Sequence, residues 1–95
     1  MERDKKQFVA ISIEYDNPEN IKISQPCHTK EDAMTLMHAM ITRDINETLS
    51  TPSENEEEER VDREWADHLR KQIREGGESV WDEYNCVDYR VVECE

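Results

Sequence analysis

The sequence predicts an α+β fold: a three-stranded antiparallel sheet with two helices packed on one face, in the order β-β-α-α-β. Three observations predict it. Residues 7–15, QFVAISIEY, and 87–94, VDYRVVEC, alternate in the two-residue period of a half-buried strand. Ala33, Met34, Leu36, Met37, Met40, Ile41, Ile45 and Leu49 fall at spacings dominated by three and four, the signature of an amphipathic helix. Val61, Trp65, Leu69 and Ile73 recur every fourth residue and mark a second helix.

The elements follow in order. In the first strand Val9, Ile11, Ile13 and Tyr15 share one face, and Ala10, Ser12 and Glu14 share the other. The turn formers of DNPEN come next, and IKIS alternates again, so a hairpin joins strands at 7–15 and 20–25. Pro26 ends the second strand. Thr29, with Asp32 three residues on, is an N-cap signal for a helix over 30–48. STPSEN breaks the pattern, and Pro52 or Ser53 suits the start of a second helix over 53–75, stopped by Gly76-Gly77. ESVWDEYNC, residues 78–86, fits either a strand or a turn. The last strand, 87–94, is expected to pair with 7–15. The expected core is Ile11, Ile13, Leu36, Met40, Trp65, Leu69 and Val91, the apolar positions of each patterned element.

Ninety-five residues fit one domain, with neither an internal repeat nor a second unit. The apolar fraction is 35%, the charged fraction 38% and the formal net charge −12. Such a chain is expected to fold with a strongly negative skin. Its charge disfavours nucleic acid and anionic lipid as direct partners, because both present phosphates. Basic proteins, including those that themselves hold DNA or RNA, remain natural partners. No window approaches a membrane span, and MERDKKQF lacks the apolar core of a signal peptide, so the expected location is the cytoplasm. Cys27, Cys86 and Cys94 form an odd set without a CxxC pair, which fits reduced thiols. The sequon at Asn46 is then incidental.

Few constellations carry chemistry. The cysteines and His28 lack zinc-finger spacing, so no metal is expected. Glu64 and His68 stand at i,i+4, which is read as a surface ion pair before an acid–base couple. His38 reads as a boundary residue. Met34, Met37 and Met40 form a stripe better suited to the core than to an adaptable binding face. Trp65 and Trp81 are expected under the helices; an exposed tryptophan would be a natural anchor for a partner. The two glycines follow a helix and cannot cradle a phosphate, and no nucleophile motif is present. The chain is therefore read as non-enzymatic and without cofactors.

The informative stretch is SENEEEERVDREW, residues 53–65. Acids at the start of a helix and Arg70, Lys71 and Arg74 at its end complement the helix dipole, each charge contributing about 0.3–1 kcal/mol when exposed. Two or three acids would suffice for that, and neighbouring glutamates repel at i,i+3 and i,i+4. The surplus makes Glu56, Glu57, Glu58, Glu59, Asp62 and Glu64, joined by Asp82 and Glu83, the candidate partner-binding residues. Helical geometry spreads them around the helix, so they cannot all touch one partner. In size, charge and this acidic stretch, the chain resembles the small acidic anti-defence inhibitors of phages and mobile elements, the anti-CRISPR and DNA-mimic proteins. The resemblance implies an inhibitor whose carboxylates stand where phosphates would lie, in the basic nucleic-acid site of a target protein in the host cytoplasm. The alternative is a structural or assembly module that oligomerises or scaffolds through apolar contacts.

Overall fold

A computed structural model of the chain describes residues 6–94; the charged segment 1–5, part of the leader reading above, lies outside the described residues. The elements are β1 (Gln7–Glu14), β2 (Ile21–Ile23), α1 (Lys30–Ser50), α2 (Glu56–Glu75), β3 (Ser79–Asp82) and β4 (Val87–Cys94). The fold is α+β, but its antiparallel sheet has four strands, in the order β2-β1-β4-β3, and not the expected three. The additional strand is β3, from the stretch that sequence left between strand and turn. At four residues it is too short to show a period of its own. The expected pairing of the first and last strands is present, from Gln7 opposite Cys94 to Glu14 opposite Val87.

Local chemistry fixes the helix ends. The Asp32 N–H donates to the Thr29 hydroxyl at 3.1 Å, capping α1. Helix α2 is capped by Asn55, whose side chain accepts from the Glu58 N–H at 2.8 Å. That corrects the start expected at Pro52 or Ser53, and it leaves Glu54 ahead of the helix. Asparagine is as good a cap as serine, and here it is the one that reaches the N3 amide. Gly76 ends α2 at φ 72°, a left-handed conformation that glycine adopts without a Cβ penalty.

Both helices cover one sheet face. Cross-strand partners share a face, so that face carries Ala10 and Ser12 of β1, Tyr89 and Val91 of β4, and Val80 and Asp82 of β3. Ala10, Val80 and Tyr89 are buried there against Met37, Ile41 and Ile45 of α1 and Trp65, Ala66 and Leu69 of α2. The expected core holds for Trp65 and Leu69, while Leu36, Met40 and Val91 pack half-buried at its margin. It does not hold for Ile11 and Ile13, which point to the opposite face and are half-buried. The strand's apolar stripe is not its helix-facing stripe. The small side chains of Ala10 and Ser12 let α1 approach β1 closely, and the branched residues are left on the far side. Trp81 also lies on that far side, 42% exposed, and not beneath the helices as expected.

This assignment makes two measurable predictions. Leu69→Ala should cost about 2–4 kcal/mol in urea unfolding, the usual range for emptying a buried leucine site. Ala10→Leu should cost about 1–3 kcal/mol by overpacking beneath α1; if Ala10 faced solvent, the substitution would be nearly neutral.

Candidate functional site

The site is best built from its buried polar ties outward. Asp82 ends β3 and is 1% exposed. Its Oδ2 accepts from the Trp65 indole Nε1 at 2.8 Å and from Asn85 Nδ2 at 3.1 Å. Its Oδ1 accepts from the backbone N–H groups of Tyr84 and Asn85 at 3.0 and 3.2 Å. Four donors offset the desolvation of a carboxyl group that would otherwise be costly to bury. Asp82 therefore shapes the β3–β4 turn and pins α2 to it. The same turn holds Cys86 at φ 56°, a conformation that costs a side-chain-bearing residue about 1–2 kcal/mol. The Tyr15 N–H donates to the Cys86 carbonyl at 2.9 Å and steadies it.

Two further ties act alongside. Gln72 of α2 presents its side-chain amide to the edge strand: Nε2 donates to the Trp81 carbonyl at 2.9 Å, and Oε1 accepts the Trp81 N–H at 3.2 Å. Gln72 Nε2 also lies 3.0 Å from His68 Nε2, so His68 is partnered by Gln72 and not by the expected Glu64. The Tyr89 hydroxyl donates to Asp44 Oδ2 at 2.6 Å, joining β4 to α1. Burial pushes the Tyr89 hydroxyl well above the usual tyrosine range. Its hydrogen bond to Asp44 and the negative charges of Asp44, Asp82 and Glu14 push it the same way. His38 is half-buried on α1; burial lowers its pKa, and its Nε2 has no hydrogen-bond partner among the described residues.

These ties place the start of α2 beside the end of α1, and acids gather there. A cleft of about 380 Å³ lies between the end of α1, the β1–β2 turn and the β3–β4 turn, lined by Glu14, Asp16, Asp44 and Glu47 with Asp82 at its floor. A second cleft of about 320 Å³ adjoins it along the α1–α2 connection, lined by Glu47, Glu58 and Asp62. Six carboxylates other than Asp82 line the pair, against Lys22, which lines the first cleft 3.9 Å from Asp44, and Arg43, which lines neither cleft but lies 3.1 Å from Glu47. Six negative and two positive groups leave four net negative charges.

The sequence candidates divide as follows. Glu58 and Asp62 line the second cleft. Glu56 and Glu57 are exposed on the first turn of α2, and Glu59 is paired with Arg63. Glu64 and Glu83 are exposed, and neither lines the two clefts. Asp82 is corrected from a surface residue to a buried one, because its oxygens are consumed by the turn and by Trp65. Sequence reasoning missed Glu14, Asp16, Asp44 and Glu47. The available signal was weak: Asp44 and Glu47 share a helix flank at i,i+3, and Glu14 lies two residues before Asp16.

Among the described residues, no group of three or more His, Cys, Asp or Glu is placed to hold a metal ion, and no helix is long and apolar enough to cross a membrane. Cys27, Cys86 and Cys94 are free thiols. No family model, curated protein or solved structure matches the chain.

The ties are open to two tests. Trp65→Phe keeps most of the ring but strips a donor from buried Asp82, and should cost about 1–3 kcal/mol beyond any packing loss. Tyr89 has a folded pKa raised above its unfolded value, so its contribution is fully present below about pH 10 and is lost as pH rises beyond that. Thermal denaturation above pH 10 should show Tyr89→Phe losing stability less steeply with pH than the parent chain.

Proposed function

We propose that the protein is a non-catalytic acidic binding module that occupies a basic, phosphate-binding groove on a nucleic-acid-binding protein, as an inhibitor of the DNA-mimic kind. What carries the reading is the acid at the wrong end of a helix. Two or three of the glutamates at the start of α2 complement its dipole and need no partner to explain them. Asp44 and Glu47 lie in the C-terminal part of α1, Glu47 in its last turn, where the dipole disfavours negative charge, and that turn holds no basic residue. Among the described residues Glu47 pairs with Arg43 alone, an exposed pair worth about 0–1 kcal/mol. Asp44 serves the fold through its bond from the Tyr89 hydroxyl, but stability does not account for gathering Glu47 and the other carboxylates beside it. A basic groove would use them: long-range attraction speeds encounter, and carboxylate–guanidinium pairs then hold the complex.

The test begins with affinity capture from the native host at low and high salt, with captured proteins identified by mass spectrometry. Binding to the captured partner should weaken steeply as salt screens the charges. Reversal of Glu47, Glu58 and Asp62 to Lys should then lower its affinity by at least about tenfold, about 1.4 kcal/mol. Reversal of Glu31, Glu75 and Glu78 makes the same change in net charge away from the clefts and should have a much smaller effect. Equal losses from the two sets, or none from the first, would reject the proposal.

A further inference from the structure

The sheet has a second face, and it is the more apolar of the two. Opposite the helices, β1 presents Ile11 and Ile13, β2 presents Ile21 and Ile23, β4 presents Val92 and β3 presents Trp81, while Val9 and Asp88 on the same face are buried. Ile23 is 64% exposed, Ile21 50% and Trp81 42%. Antiparallel sheets covered on one side ordinarily alternate apolar-in and polar-out. On β1 this order is reversed: Ile11 and Ile13 face outward, and the small Ala10 and Ser12 face the helices. The Tyr15 ring packs on that of Trp81, with centroids 5.6 Å apart, at the edge of this surface.

We infer that this face is the contact surface of a symmetric homodimer, with a second copy of the chain seated sheet on sheet. Charge selects the occupant. Among the strand residues directed to this face, Asp88 and Arg90 are the charged ones, and they are paired with each other. The face is thus neutral on a chain of net charge −12. A basic partner would gain no attraction here. A second copy is repelled by the acidic surfaces and needs a neutral face such as this one. Area points to a reversible contact. With strands about 4.8 Å apart and rising about 3.4 Å per residue, the two long and two short strands cover roughly 400 Å² in plan. Two copies would then bury on the order of 800 Å² or somewhat more, at the low end of specific interfaces. Aligned sheets about 10 Å apart would interdigitate their isoleucines around Trp81, a residue type enriched at binding hot spots. The acidic clefts lie on the helix side, so both stay open in the dimer. The inference is independent of what they bind.

Sedimentation velocity on the full chain tests this, across about 5–500 µM protein, a span matched to micromolar self-association. The chain should reach the dimer mass. Its association should tighten several-fold between about 50 and 500 mM NaCl, because salt screens the repulsion between copies. Ile23→Lys, at the most exposed position of the face, should weaken association by at least about tenfold with an unchanged circular dichroism spectrum. Trp81→Lys should do the same, whereas reversing Glu47, Glu58 and Asp62 should leave association intact or tighter. A chain that stays monomeric throughout at both salts, or a dimer indifferent to both lysine substitutions, would overturn the inference.

Discussion

The hydrogen bond between the Trp65 indole and Asp82 is the contact on which the arrangement of α2 depends. It joins the middle of that helix to the end of β3, across seventeen residues of chain. Both groups are buried, and the indole N–H has this one partner: left unpaired in this interior it would cost more than the bond itself contributes. The same carboxyl group closes the β3–β4 turn through two backbone amides and Asn85. Gln72 repeats the attachment further along α2 by pairing with the backbone of Trp81. That pairing also covers part of a sheet edge that could otherwise add a foreign strand. Helix position and turn shape are therefore tied together by a few polar groups, Asp82, Trp65 and Gln72.

The distribution of charge follows from this attachment. With α2 held over β3 and α1 held to β4 by Tyr89 and Asp44, the α1–α2 connection must bring the start of one helix to the end of the other. Glu58 and Asp62 thereby meet Glu47, and the β1–β2 hairpin adds Glu14 and Asp16. The helix dipole explains Glu58, in the first turn of α2, but not Asp62, and it works against the last turn of α1. The strand residues of the face opposite the helices carry no net charge. The molecule thus separates an acidic helix side from a neutral apolar sheet side. Those are the two kinds of surface expected for two different contacts, one sensitive to salt and one dependent on apolar burial.

Much of the fold was legible because it is local. Thr29 and Gly76 marked helix ends through chemistry within three or four residues, and the period of β1 and β4 showed over eight residues each. Strand β3 was not legible, since SVWD is too short for a period and its strand character comes from pairing with β4. The wrong face of β1 was chosen because apolar count favoured Val9, Ile11 and Ile13. The helices instead pack where Ala10 and Ser12 leave room, a property of the space above the strand and not of hydrophobicity along it. Asp82 looked like one more surface acid because its role needs Trp65, far away in the chain. The acidic clefts were half legible: Glu58 and Asp62 belonged to an obvious run, whereas Glu14, Asp16, Asp44 and Glu47 stand nearly singly until the fold collects them.

The proposed function requires the carboxylates to act as one localised surface and not as a uniform negative skin. Titration of isotope-labelled protein with a short arginine-rich peptide, followed by amide chemical shifts at low salt, tests this most directly. Shifts should concentrate at Asp16, Asp44, Glu47, Glu58 and Asp62 and saturate together. Shifts spread evenly over the acidic residues, or largest at Glu75 and Glu78 at the far end of α2, would contradict it.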